Sequence, residues 1–116
     1  MNTLKYNLEY HCYPIWNYDA TGELIDNDLP DDLRNDQELD SLLLKVQEIF
    51  GGLYIDTATE FSSHGFHTET ERQDFLSTLF TSVEILRNRY GDTYLIECKY
   101  DTNSFPVESG KMSGNT

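Results

Sequence analysis

Three histidines, two cysteines and 21 acidic residues are the groups through which this chain could do chemistry. His11 stands beside Cys12, but neighbours on an extended strand point to opposite faces, so they cannot act as base and thiol nucleophile in that way. His64 and His67 are three apart and could set two imidazoles on one side of a turn for zinc, yet neither a third histidine nor a cysteine pair lies nearby. Asp26-Asn27-Asp28 opens like a calcium loop, and the pattern then fails, because Pro30 stands where the next oxygen ligand belongs and Asp31 where the turn glycine belongs. No glycine-rich loop leads from a strand into a helix, and no phosphate-binding lysine motif is present. The expectation is a chain with no catalytic residue, no metal site and no cofactor.

What remains is an acidic segment. Asp19, Glu23, Asp26, Asp28, Asp31, Asp32, Asp36, Glu38 and Asp40 are opposed over that stretch only by Arg34. Burying so many carboxylates without partners would cost more than the whole stability of a small domain. The segment is therefore expected at the surface, as a solvated face or a docking surface. Tyr13, Trp16 and Tyr18 just precede it, and Trp and Tyr are enriched at interface hot spots. The candidate partner-binding residues are accordingly Trp16, Tyr18, Asp19, Glu23, Asp26, Asp28, Asp31, Asp32 and Asp36. Phe61 and Phe66, flanking the polar stretch 62–65, either present an exposed aromatic edge or anchor a loop on the core.

The overall charge agrees with a protein partner. With 21 acidic against 8 basic residues the formal charge is -13, which repels nucleic acid and anionic lipid and speeds encounter with cationic partners at low salt. The same charge could also serve solubility alone. No run approaches the roughly 20 apolar residues that span a bilayer, and no export signal is seen, so a cytoplasmic location is expected. Cys12 and Cys98 then read as reduced, buried, small hydrophobes, each in the apolar phase of a strand.

The elements that must position these groups follow from periodicity. Leu4, Tyr6, Leu8, Tyr10 and Cys12 alternate with polar residues, a half-buried strand over 4–12. After Pro14, apolar runs at 15–18 and 23–25 flank Asp19-Ala20-Thr21-Gly22, which predicts a hairpin with an edge or bulge at Pro14. Residues 26–36 suit a loop with one irregular helical turn, Pro30 standing at its start. Asp36 caps a helix whose apolar face is Leu39, Leu42, Leu43, Val46, Ile49 and Phe50 and which Gly51-Gly52 ends through a left-handed residue. A short strand at 53–55 and an extended segment at 61–66 come next. Thr68 and Glu71 form a capping box for a second helix with buried Phe75, Leu76, Leu79, Phe80, Val83 and Leu86, ending at Gly91. Residues 94–100 alternate as a final strand.

The expected fold is α+β: a mostly antiparallel sheet of about four to five strands with two helices packed on one face. Residues 1–100 form one domain and 101–116, polar and rich in Gly, Ser and Asn, a flexible C-terminal tail. In its small size, its aromatic hairpin 13–18, the acidic stretch 26–40 and the 60–66 segment before a capped helix, the chain resembles the immunity proteins encoded beside bacterial polymorphic and contact-dependent growth-inhibition toxins. The resemblance implies a cytoplasmic, non-enzymatic inhibitor that neutralises a basic toxin domain, of nuclease type, by tight binding, as a monomer or weak dimer. Two other readings compete with it: an acidic nucleic-acid mimic that occupies the channel of a restriction or CRISPR nuclease, and a structural accessory protein.

Overall fold

The computed structural model describes residues 1–57 and 59–107. Its elements are β1 (Thr3–Tyr6), β2 (Ile15–Tyr18), β3 (Leu24–Asp26), a 3-10 turn (Asp31–Leu33), α1 (Gln37–Gly51), β4 (Tyr54–Asp56), β5 (Phe61–Ser63), α2 (Glu69–Tyr90), β6 (Leu95–Cys98) and a second 3-10 turn (Thr102–Ser104). Four strands form one sheet in the order β3-β2-β1-β6, and β4 pairs with β5 separately. The β1–β2, β2–β3 and β4–β5 pairings are antiparallel. The β1–β6 pairing is parallel, since α2 carries the chain back across the fold before β6 joins the edge. The α+β class and the two helices are as expected.

Leu4, Tyr6 and Ile15 are fully buried on the inner side of the sheet. The helices cover that side with Leu39, Leu43 and Val46 from α1 and Phe75, Leu79 and Leu86 from α2. One buried polar link crosses this core. The Ser82 hydroxyl donates to the Leu79 carbonyl at 2.6 Å, so its single proton is used and the Tyr6 hydroxyl must donate to Ser82 Oγ at 2.8 Å. Burial, more than any other influence, pushes the Tyr6 hydroxyl far above its ordinary pKa.

Several expectations are corrected. The first strand stops at Tyr6 instead of running to Cys12. Asn7 turns its own side chain onto the Leu8 amide (3.1 Å) and gives its amide to the Pro14 carbonyl (3.0 Å). The Cys12 amide then bonds Glu9 (3.1 Å) in a turn that sets His11 at φ 64. The parallel register therefore sets Cys98 opposite Tyr6 and not opposite Cys12; both thiols are half-buried and free of a disulfide, and Cys98 Sγ accepts from the Arg87 guanidinium at 3.5 Å. Neither helix ends through a left-handed glycine. Gly52 and Gly91 have φ of -69 and -65, and each continues the helical bond to the carbonyl four residues back. At Gly91 the requirement is space, since a Cβ there would sit 2.5 Å from the Arg87 carbonyl oxygen.

On α2 the buried stripe is Phe75, Leu76, Thr78, Leu79, Ser82 and Leu86, which leaves Phe80 49% exposed. Residues 101–107 also depart from the expected tail. Phe105 enters the core against Phe50 and Phe75, Phe66 bridges to Val107, and Arg72 Nε donates to the Phe105 carbonyl at 2.8 Å. The rest of that tail, 108–116, lies outside the described residues.

Candidate partner-binding surface

Residues paired across a sheet share a face. The registers therefore put Thr3, Lys5, Trp16, Tyr18, Leu95 and Glu97 on the side away from the helices, and the pairing of Tyr18 with Leu24 adds Leu24. Leu24 and Leu95 are 52% and 51% exposed. Lys5 Nζ stands 4.4 Å from the centre of the Tyr18 ring, a cation–π contact, and Trp16 Nε1 donates to the Asn7 carbonyl at 3.2 Å, which fixes the indole. This open face thus carries two aromatic rings and two exposed leucines, the kind of surface whose removal from water drives association.

The hairpin at its margin is built by its own acid. Asp19 Oδ1 accepts from the Thr21 hydroxyl (2.7 Å) and from the Thr21 and Glu23 amides (both 2.9 Å). The Thr21 hydroxyl above all, then the Glu23 amide, holds this carboxyl below its ordinary value. Gly22 supplies the left-handed residue, at φ 92, that closes the turn.

Beyond β3 the acidic segment is organised by internal partners. Arg34 gathers Asp26, Asp28 and Asp31 at 3.6, 3.5 and 3.1 Å, while its Nε donates to the Leu29 carbonyl. Asn27 braces the segment to the sheet, its Nδ2 donating to the Tyr13 and Ile15 carbonyls and its Oδ1 accepting the Tyr13 amide. Three tyrosines then staple it down: Tyr13 donates to Asp40 (2.7 Å), Tyr94 to Asp32 (2.7 Å) and Tyr90 to Asp36 (2.5 Å). Burial first, and donation to the aspartate second, pushes Tyr90 and Tyr94 each up to about 12 and Tyr13 higher still.

Asp36 is the most engaged of these acids. It caps α1 through the Leu39 amide (3.1 Å) and pairs with Arg89, which also holds Glu38. Burial alone would raise its carboxyl, but the Tyr90 hydroxyl, the Leu39 amide and Arg89 outweigh it and hold it below the ordinary value.

The sequence-predicted residues therefore fall into three groups. Trp16, Tyr18, Asp19 and Glu23 belong to the open face and its hairpin. Asp26, Asp28 and Asp31 surround Arg34. Asp32 and Asp36 are tied to Tyr94 and to the end of α2. The sequence reading did not include Leu24 and Leu95; the signal for Leu95 was its place out of phase with half-buried Tyr94 and Ile96, whereas Leu24 lies among exposed neighbours and offers none. Of the aromatic pair, Phe61 is 60% exposed and Phe66 is buried. The His64 and His67 rings stack with centres 5.6 Å apart, and no three His, Cys, Asp or Glu side chains converge among the described residues as a metal site requires. Nor is any helix among them long and apolar enough to cross a membrane. No family model matches the chain, and no curated protein matches it.

Proposed function

We propose that this protein is a non-enzymatic binding inhibitor of the immunity-protein kind, acting in the cytoplasm to cover the basic active or substrate-binding surface of a nuclease-type toxin domain. The observation that carries the reading is the open sheet face: Trp16, Tyr18, Leu24 and Leu95, which no helix among the described residues covers, with Asp19 and Glu23 at the hairpin margin of a chain of charge -13. Apolar anchors slow dissociation, while the negative field speeds encounter with a cationic surface. Nucleic-acid mimicry has less support, because mimicry needs carboxylates in a row spaced like phosphates, and here they gather around Arg34 and Arg89.

The test is capture of partners by the tagged protein from its native host at low and high salt, followed by titration of the captured partner's activity. A single basic protein, inhibited stoichiometrically and released by Tyr18→Ala with Leu24→Lys, is the expected result. A partner whose activity is unaffected by saturating protein would overturn the reading.

A further inference from the structure

The 7–14 connection lies against α1, and a groove runs between them. Two adjoining hollows of about 410 and 540 Å3, with Leu44 and Gln47 common to both, lie along the outer side of the helix. Tyr10, His11 and Glu48 line one end; Tyr13, Asp28 and Asp40 line the other. Leu44, common to both, is 48% exposed, whereas Leu43 beside it is fully buried. The lining is acidic: its only arginine, Arg34, is already matched by Asp26, Asp28 and Asp31. Asp40 spends one oxygen on the Tyr13 hydroxyl and keeps the other.

The spacing of these groups identifies what fits. Asp40, Leu44 and Glu48 follow at intervals of four on α1, which places acid, apolar and acid groups in one stripe about 6 Å apart along the axis. Alternate side chains of an extended strand recur at about 6.8 Å. We propose that this groove receives an extended basic segment of a protein partner with the pattern basic–x–apolar–x–basic, its apolar side chain on Leu44 and its cations on Asp40 and Glu48. A second copy of this chain is a poor occupant, because it would bring another charge of -13 to an acidic groove. The inference rests on the reading that the partner is a basic protein, and it adds a contact separate from the open sheet face.

The probe is a capped peptide, Ser-Arg-Ser-Leu-Ser-Arg-Ser, titrated into the full chain while amide shifts are followed by NMR. Shifts should concentrate on residues 10–13 and 40–48. Affinity should fall about tenfold, the size of one lost anchor or charge pair, when the peptide Leu is replaced by Ser, or in Leu44→Ser, or in Asp40→Asn with Glu48→Gln. Equal binding by the Leu-free peptide, shifts centred on 16–24, or no shifts at millimolar peptide would overturn the inference. Those results leave the inhibitor reading intact wherever Tyr18→Ala with Leu24→Lys still releases a neutralised partner. Groove binding beside a captured partner that is not inhibited would overturn the inhibitor reading alone.

Discussion

Replacing Asp36 by alanine should destabilise the fold far more than removing any other acid of the 19–40 segment. Its side chain is only 10% exposed and serves three elements at once: the first turn of α1, Arg89 and Tyr90. Losing an N-cap costs about 1 kcal/mol. Losing the hydrogen bond from Tyr90 costs about 1.5–3 kcal/mol, the range for a bond to a charged acceptor. Arg89 keeps Glu38, so the broken ion pair adds little. Allowing for overlap between contributions made by one carboxylate, the expected loss is about 3 kcal/mol, a fall in melting temperature near ~12 °C for a domain this size.

Asp36→Asn keeps a good cap and an acceptor for Tyr90 and should lose about half as much. Asp31→Ala, whose side chain is 93% exposed, should melt with the unmodified protein. Thermal and urea unfolding followed by circular dichroism read all three. If Asp36→Ala melts within about 3 °C of the parent, the clasp holds little of the stability expected of it, and the cap and hydrogen-bond reasoning is refuted. The contrast also bears on function. Charge reversal at Asp36 would report unfolding as lost binding, so the acidic contribution to the proposed docking is properly tested at Glu23.

Two further predictions concern the core and pH. Because Tyr6 donates to Ser82, Tyr6→Phe leaves Ser82 satisfied by Leu79 and should cost about 1 kcal/mol, whereas Ser82→Ala strands a buried phenol and should cost about 2 kcal/mol, with the double variant recovering part of that loss; urea midpoints in the reverse order would assign the donor wrongly. The depressed carboxyl of Asp36 stabilises the fold above its ordinary value of 3.8, and this contribution disappears as pH falls through the lower folded value, so the melting difference from Asp36→Asn should close below about pH 4. The raised hydroxyls of Tyr90 and Tyr94 act in the opposite direction: their contribution is whole below 10 and is lost as pH rises towards about 12. A melting difference that stays constant from pH 7 down to 3 would contradict the assignment.

Most of the architecture was legible because it rests on local patterns. Asp36 and Thr68 are short acceptors ahead of apolar periodicity, and each does cap its helix. The Asp/Gly turn between 18 and 24 closes the hairpin as read. The failures occur where tertiary contacts override such patterns. Alternation over 4–12 could not reveal that Asn7 would turn its side chain against the ladder. Thr78 and Ser82 stand outside the apolar face read from the sequence, yet their hydroxyls bond within the helix or to Tyr6, so they lie on the buried stripe and Phe80 does not. Phe105, a single ring amid small polar residues, gives no periodic signal, and only the cluster with Phe50 and Phe75 explains its burial.

Strand alternation places Trp16 and Tyr18 on one open face, whereas the acids of the segment are parted among internal donors, and the difference has one physical reason. Charge density in sequence says that carboxylates are close together; it does not say which donors they face. Here three half-buried tyrosines place their hydroxyls at the rim of the core, and Asp32, Asp36 and Asp40 accept from Tyr94, Tyr90 and Tyr13. Each pair lets a ring bury its apolar body while its polar end meets an acceptor stronger than water. A chain with 21 acids and eight tyrosines can therefore use carboxylates to fasten loops, and the carboxylate oxygens so used are poorly placed to receive a partner. The groups left for docking are those with weak internal engagement: Glu23 on the hairpin, Glu48 and the open oxygen of Asp40 on α1, and the uncovered Leu24, Leu44 and Leu95. If binding draws on the protein's field but is anchored by these few residues, salt should act on association while Leu24 and Leu44 substitutions act on dissociation.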